Sequence, residues 1–386
     1  MKKRIFLAMC CLLAFAGLRA QVTCKGVMLV RVGELQKGDT VTVTGRNRDS
    51  GTGFTSYSIK GEARMVPGTS LKLLENNMSL WESAWFQYGS SRYAEKGPEL
   101  NVRQQIKAWS DSELNELESE GRLLHDLELE DYLQRCLLRI HPAQLVKNQP
   151  TCEAHLSVWV HKDATVKLNT RYSGILYAGA QWVSAFTHEA ELYKALAAGV
   201  ALVEMDYPML NVNSFSSPES VHAVTNEQKM AAEKIARQWM KTEADSASFL
   251  SGDAFTRKIR GAVLYTAYQH FYAQNFDQSL LQIDRLIKAE AASDEVWLLK
   301  AKIYRRMYDS EAANLTALSY LARAESIAAH NMAEIPAERG ILLLRLGRPD
   351  EARTAFEAYR DILLLSGEAS DELRWAQEMI WQCRKT

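Results

Sequence analysis

Val41 and Val43 alternate with Thr40, Thr42 and Thr44. That period of two is the pattern of a half-buried strand. Two strand runs flank Lys37-Gly38-Asp39, and Arg46 to Gly53 forms a polar turn. Ser56 to Ile59 opens a further strand, and Met65-Val66-Pro67-Gly68 ends in a turn. Several short strands within residues 21–76 predict a small open β-barrel. The segment after it, 77–101, reads as a linker, although Trp81, Trp85, Phe86, Tyr88 and Tyr93 are dense for one. Those rings either pack on a neighbouring domain or form a carbohydrate- or peptide-binding patch.

The period then changes. Leu114, Leu117, Leu123, Leu124, Leu127, Leu133, Leu137 and Leu138 recur at helical spacing, and predict one amphipathic helix over 111–140. Asp111 caps it, and His141-Pro142 ends it. Leu156, Val158 and Val160 alternate with Ser157, Trp159 and His161, which predicts a strand. A second β segment is expected over Thr165 to Tyr177. From Phe186 onward the pattern is helical, apart from the polar loop Asn211 to Pro218.

Residues 255–365 repeat. Three stretches share small or apolar residues at offsets 0, +4 and +7: Ser279/Ile283/Leu286, Ala317/Leu321/Ala324 and Ala352/Phe356/Tyr359. Their registers lie 38 and 35 residues apart, near the roughly 34-residue period of tetratricopeptide units. Ala267 and Gly340 take the small first-helix position, and Trp297, Ala301 and Tyr304 fit the middle unit. A stacked array of helix pairs follows. This register lays Tyr268, Tyr272, Lys302, Arg305, Arg306 and Arg345 on the inner face. They either form a basic-aromatic groove for an acidic segment or dock the array on the preceding domain.

Composition narrows the function. The formal charge of the 386 residues is −1, and removing residues 1–20 takes away four basic residues and no acids. Lys2, Lys3 and Arg4, the apolar run Ile5 to Leu18, and Leu18-Arg19-Ala20 before Gln21 read as a secretory signal. Such a leader implies an exported, periplasmic or cell-envelope protein. No basic excess points to nucleic acid. No other apolar run approaches membrane-spanning length. Beyond residue 20 the cysteines are Cys24, Cys136, Cys152 and Cys383, with no C-x-x-C pair. Export permits oxidation, and Cys136 with Cys152 is one candidate pairing.

The strongest chemical signal is a missing one. Residues 102–250 resemble exported zinc metallopeptidases of the HtpX/BepA type, a zincin family in which a tetratricopeptide array can follow the peptidase domain. The resemblance rests on order: a Leu-rich helix, a hairpin with Asn169, Gly174 and Ile175-Leu176-Tyr177, the lead-in Glu189-Ala190-Glu191-Leu192, then the helix ALAAGVALVEMDY. In such a helix H-E-x-x-H supplies two zinc ligands and a general base. Here Ala198 stands for the first His, Gly199 for the Glu and Leu202 for the second His. Lys229, in QKMAAE, stands for the downstream ligand Glu. Alanine and leucine offer zinc no donor, and an ammonium repels it.

No other catalytic set replaces it. His188-Glu189 has Leu192 where a second His would be needed, and G-x-S-x-G, G-x-G-x-x-G and phosphate loops are absent. Glu204 and Asp206 read as a helix end. The expectation is an α+β chain of five parts: signal peptide 1–20, β-barrel 21–76, linker 77–101, degenerate zincin-like domain 102–250, and an α-solenoid of helical repeats 251–386. Its expected role is a non-catalytic interaction or scaffold protein with a protein or peptide partner and no cofactor. The alternative is a hydrolase with non-standard ligands.

Overall fold

A computed structural model of the chain describes residues 24–48, 55–67, 70–73, 112–140, 157–170, 175–204, 225–243, 249–329, 332–366 and 371–385. The expected signal peptide, the linker 77–101 and the loop Asn211 to Pro218 lie outside them. So does Cys152, one candidate partner of Cys136; Cys136 itself is buried.

The alternating valines build the first sheet. Strands β1 (Cys24–Met28), β2 (Thr40–Arg48), β3 (Thr55–Ile59), β4 (Val66–Pro67) and β5 (Leu71–Leu73) run in the order β4-β3-β2-β1-β5. All pairings are antiparallel. Val41 and Val43 point into a core with Met28, Tyr57, Ile59, Val66 and Leu71. Asp39 turns the chain between β1 and β2 by accepting from the Gln36 N–H at 2.7 Å. Where a small open β-barrel is expected, the described strands form one open sheet that does not close on itself. The outer strands β4 and β5 are two and three residues long and do not pair with each other. They are too short to carry the ladder around.

The single helix expected over 111–140 is also corrected. Helix α1 (112–119) stops at Gly121, which adopts φ +65°. The Gly121 N–H donates to Glu118 O and the Arg122 N–H to Leu117 O, so the last helical carbonyls are satisfied. Leu123–Leu124 then forms β6, and Asp126 starts α2 (Leu127–Ile140) by accepting the Leu129 N–H at 2.8 Å. The leucine series was two patterns joined end to end. Leu114, Leu117 and Leu123 pack with Trp159, Ile175 and Tyr177, whereas Leu133 and Leu137 enter the main core.

Between these layers lies a mixed sheet. Its order is β6-β7-β9-β8, with β7 (Ser157–His161), β8 (Leu168–Thr170) and β9 (Ile175–Gly179). The central pair β7 and β9 is parallel, and both edge strands are antiparallel. Val158 and Val160 face the main core, as the alternation predicts, while α1 covers the opposite face at Trp159. Helices α3 (Ala180–Ser184), α4 (Glu189–Glu204) and α5 (Asn226–Glu243) follow. Helix α4 packs against α2, α5 and the edge strand β8.

The remaining chain is helical: α6 (Gly252–Lys258), α7 (Arg260–Tyr272), α8 (Phe276–Lys288), α9 (Asp294–Met307), α10 (Glu311–Ile327), α11 (Glu334–Arg345), α12 (Pro349–Ser366) and α13 (Asp371–Cys383). The chain folds into successive pairs α7/α8, α9/α10 and α11/α12, with α13 against α12. Every position of the three sequence registers is buried. The small residues explain the close contacts: a Cβ on Gly340 would meet the Phe356 ring at 2.6 Å.

The expected boundary at 250/251 runs through shared core. One cluster contains Leu133, Val160, Leu196 and Val200 together with Phe255, Ala267, Ile283 and Val296. Arg285 of α8 reinforces the join. It donates to Ser184 O at 2.6 Å, Phe186 O at 2.8 Å and Thr256 Oγ1 at 3.1 Å. Two of these acceptors lie at the C-terminal end of α3, where a cation suits the helix dipole.

Candidate functional site

The degenerate positions sit on two packed helices. Gly199 faces the edge strand. A Cβ there would lie 3.0 Å from Leu176 Cδ2, 3.0 Å from Thr170 Oγ1 and 3.1 Å from Leu168 Cδ2. Glycine in a helix interior costs about 1 kcal/mol relative to alanine, and the close approach of α4 to β8 is what it permits. Ala198 and Leu202 are half-buried, and Ala198 packs on the main core. Lys229 is exposed on α5. These residues do not fit zinc, because none presents a neutral or anionic donor. Among the described residues, no group of three His, Cys, Asp or Glu is placed to hold a metal ion.

The second place is a groove of about 770 Å³ on the inner side of the array. Three parts of the chain form it: the first sheet through Leu29 and Leu71, the start of α2, and the helices α7, α9 and α11. Tyr268 and Tyr272 are one turn apart on α7 and stack with ring centroids 6.2 Å apart and planes 23° from parallel. Tyr272 is 69% exposed. Tyr265, on the same helix, is held by donating to Lys162 O at 3.2 Å and accepting from Gln269 Nε2 at 2.8 Å.

Of the six residues expected on this face, Tyr268, Tyr272 and Lys302 line the groove. The four cations are occupied. Lys302 pairs with Glu334 at 2.5 Å, and Arg305 binds both oxygens of Glu338 at 2.5 and 3.0 Å. Arg345 donates to Arg305 O at 2.7 Å, and the Arg306 guanidinium lies 4.5 Å from the Phe271 ring centroid. These basic groups therefore tie helices together. A basic groove for an acidic segment does not result.

Instead the described lining carries six carboxylates against Arg260, Lys302 and one histidine. Arg260 pairs with Glu128 at 3.1 Å, and His125 Nδ1 lies 3.2 Å from Glu130 Oε1 with both side chains almost fully buried. Burial pushes the Tyr268 phenol well above its ordinary value, and Glu295, Glu334 and Asp294 add to the rise. Sequence reasoning missed the acids because they come from α2, α9 and α11 and meet only after folding. One local signal existed: Asp126, three residues before Leu129, is an N-cap.

Asp126 is enclosed by protein but keeps some area facing the groove, as expected of a group on the floor of a concavity. Burial raises its pKa above 3.8, against the Leu129 N–H and Arg260, which lower it. Its contribution to stability is therefore full below the unfolded value and is lost as pH rises through the folded value. Asparagine caps a helix as well as aspartate does. Asp126→Asn should gain stability relative to the parent as pH rises from acid to neutral. Urea unfolding of both proteins across that range checks this; parallel curves, or the reverse slope, contradict it.

A scan against protein families gives no match to this chain, and neither does comparison with curated proteins.

Proposed function

We propose that the chain is a non-catalytic exported protein-interaction or scaffold protein of the cell envelope. In this reading a degenerate zincin-type domain carries a tetratricopeptide-like array, and the array's groove holds a protein or peptide partner. One observation carries it. At the position the resemblance assigns to the general base, α4 lies so close to the antiparallel edge strand β8 that even a Cβ would be crowded. A carboxylate side chain there would have to displace the side chains of Leu176, Thr170 and Leu168, which fill the space beside the strand.

Two further facts support the reading. The helix-beside-edge-strand arrangement is the one the resemblance implies. The open cavity is bordered by the helical array rather than by Ala198, Leu202 and Lys229. Partner binding is therefore assigned to the array's inner face. The test is metal analysis of the purified full chain together with a cleavage assay on an unfolded protein substrate. Metal well below one equivalent and no cleavage are expected. Stoichiometric zinc lost on changing a residue of α4 or α5, with cleavage lost in parallel, would overturn the proposal.

A further inference from the structure

The charges of the groove are largely matched within the fold. Glu128 pairs with Arg260 at 3.1 Å, and Glu334 with Lys302 at 2.5 Å. Glu130 lies 3.2 Å from His125, with both side chains almost fully buried. Asp126 accepts the Leu129 N–H, and Asp294 accepts the Glu295 N–H. A charged ligand would compete with partners these groups already have, so charge does not choose the occupant.

The phenols of α7 are a different matter. Tyr265 is engaged by Lys162 O and Gln269. Tyr268 and Tyr272 also line the groove, but make no hydrogen bond to any described residue. Burial holds the Tyr268 phenol above its ordinary value, so it keeps its proton and stands ready as a donor. The two rings stack, and Tyr272 is largely open to solvent. Leu29, Leu71, Leu264 and Ile327 add apolar lining. Such a surface suits a ligand with flat apolar faces, many acceptors and few donors. A proline-rich chain has that inventory. Each proline lacks an N–H but keeps its carbonyl, and its ring can lie against a tyrosine face. The polyproline II helix has no internal hydrogen bonds and is already extended, so little ordering is left to do on docking. The cavity of about 770 Å³ is large enough to enclose part of such a chain.

We infer that the groove between α7, α9 and the start of α2 binds an uncharged, proline-rich extended segment of a protein partner, with a proline ring against Tyr272 and a backbone carbonyl accepting from the Tyr268 hydroxyl. The inference rests on the interaction reading above and adds the chemistry of the partner.

The test uses the full chain and labelled peptides of equal length, read by fluorescence anisotropy: a Pro-Ala repeat, a Gly-Ser repeat, a Lys-Gly repeat and a Glu-Gly repeat. The Pro-Ala peptide should bind with an affinity nearly independent of salt, and the other three should not bind. Tyr272→Ala, at a solvent-exposed position, should weaken binding by about fivefold or more. Tyr268→Phe, which keeps the ring and removes the hydroxyl, should weaken it by about fivefold. Asp361→Asn on α12, outside the groove lining, should leave it unchanged. Far-ultraviolet circular dichroism confirms that each variant is folded.

Equal affinity in the parent and either tyrosine variant overturns the inference, as does binding of no peptide. Binding of the Gly-Ser, Lys-Gly or Glu-Gly peptide at least as tightly as Pro-Ala, lost in Tyr272→Ala, keeps the interaction reading and overturns the choice of partner. Self-association seen by sedimentation and lost in Tyr272→Ala would identify a second copy as the occupant and likewise overturn it. Cleavage of any of the peptides overturns the interaction reading itself.

Discussion

Arg285→Met should lower the free energy of unfolding by about 3 kcal/mol. The arginine makes three hydrogen bonds from a half-buried position, two of them to the carbonyls of Ser184 and Phe186. Hydrogen bonds from a charged donor contribute about 1.5–3 kcal/mol, and a buried acceptor left unpaired carries a desolvation penalty of about 1–3 kcal/mol. Methionine keeps the stem's volume but restores none of the bonds. Burial lowers the Arg285 pKa without neutralising it. Part of the gain from pairing is therefore offset by the cost of taking the cation out of water, which keeps the expected loss below a simple sum. Lysine should rescue only part, because one ammonium cannot span acceptors that the guanidinium fork reaches together. Denaturant unfolding checks both variants; a loss below about 1 kcal/mol for Arg285→Met would show that the join holds without the clamp.

Gly199→Glu, which restores the carboxylate that the resemblance expects, should destabilise by about 4 kcal/mol and confer no activity. The first side-chain carbon alone meets three neighbours at 3.0–3.1 Å. Overpacking of a tight core costs about 1–3 kcal/mol, and a buried unpaired charge adds to that. Gains from helix propensity are about 1 kcal/mol at most. The Gly199→Glu variant should therefore show a clear fall in thermal midpoint. A stable Gly199→Glu protein that binds zinc would falsify the closed-packing account of α4 on β8.

The helix pairing was legible through its small residues: Ala317 and Ala324 are fully buried, and a Cβ on Gly340 would strike the Phe356 ring. The valine alternation of β2 was legible because one face of that strand lies in a core; in β7 both faces are covered, and Val158 and Val160 stand out because they share one of them. The break at Gly121 was not. Leu117, Leu123 and Leu124 kept a helical spacing across it, and a single glycine in a helical pattern is tolerated often enough to be read through. How far the first sheet curls was not legible, because strand count says nothing of strand length, and β4 is only two residues long.

The inner face was half legible. Register alone put Tyr268, Tyr272 and Lys302 on it, because helical spacing decides which residues share a face. The sign of its charge was hidden. Arg305 and Lys302 find Glu338 and Glu334 one repeat later in the chain, over thirty residues away, and the acids of α2 arrive from before the mixed sheet. Such pairings depend on how successive helix pairs stack, and no local pattern encodes that.

The core shared between α4 and α8 has a bearing on how the array could have grown. An ordinary solenoid carries a polar cap at each end and can gain or lose units at either. Here the first pair has no such end, because its outer surface is the interior of the preceding unit, locked by Arg285. Duplicating or deleting α7/α8 would tear that interior open. Only the far end, where α13 lies against α12 with Trp381 turned to solvent, offers a place where a helix pair could be added or lost. The groove, set at the anchored end, would be left intact by such changes, so length could drift while its lining stayed fixed.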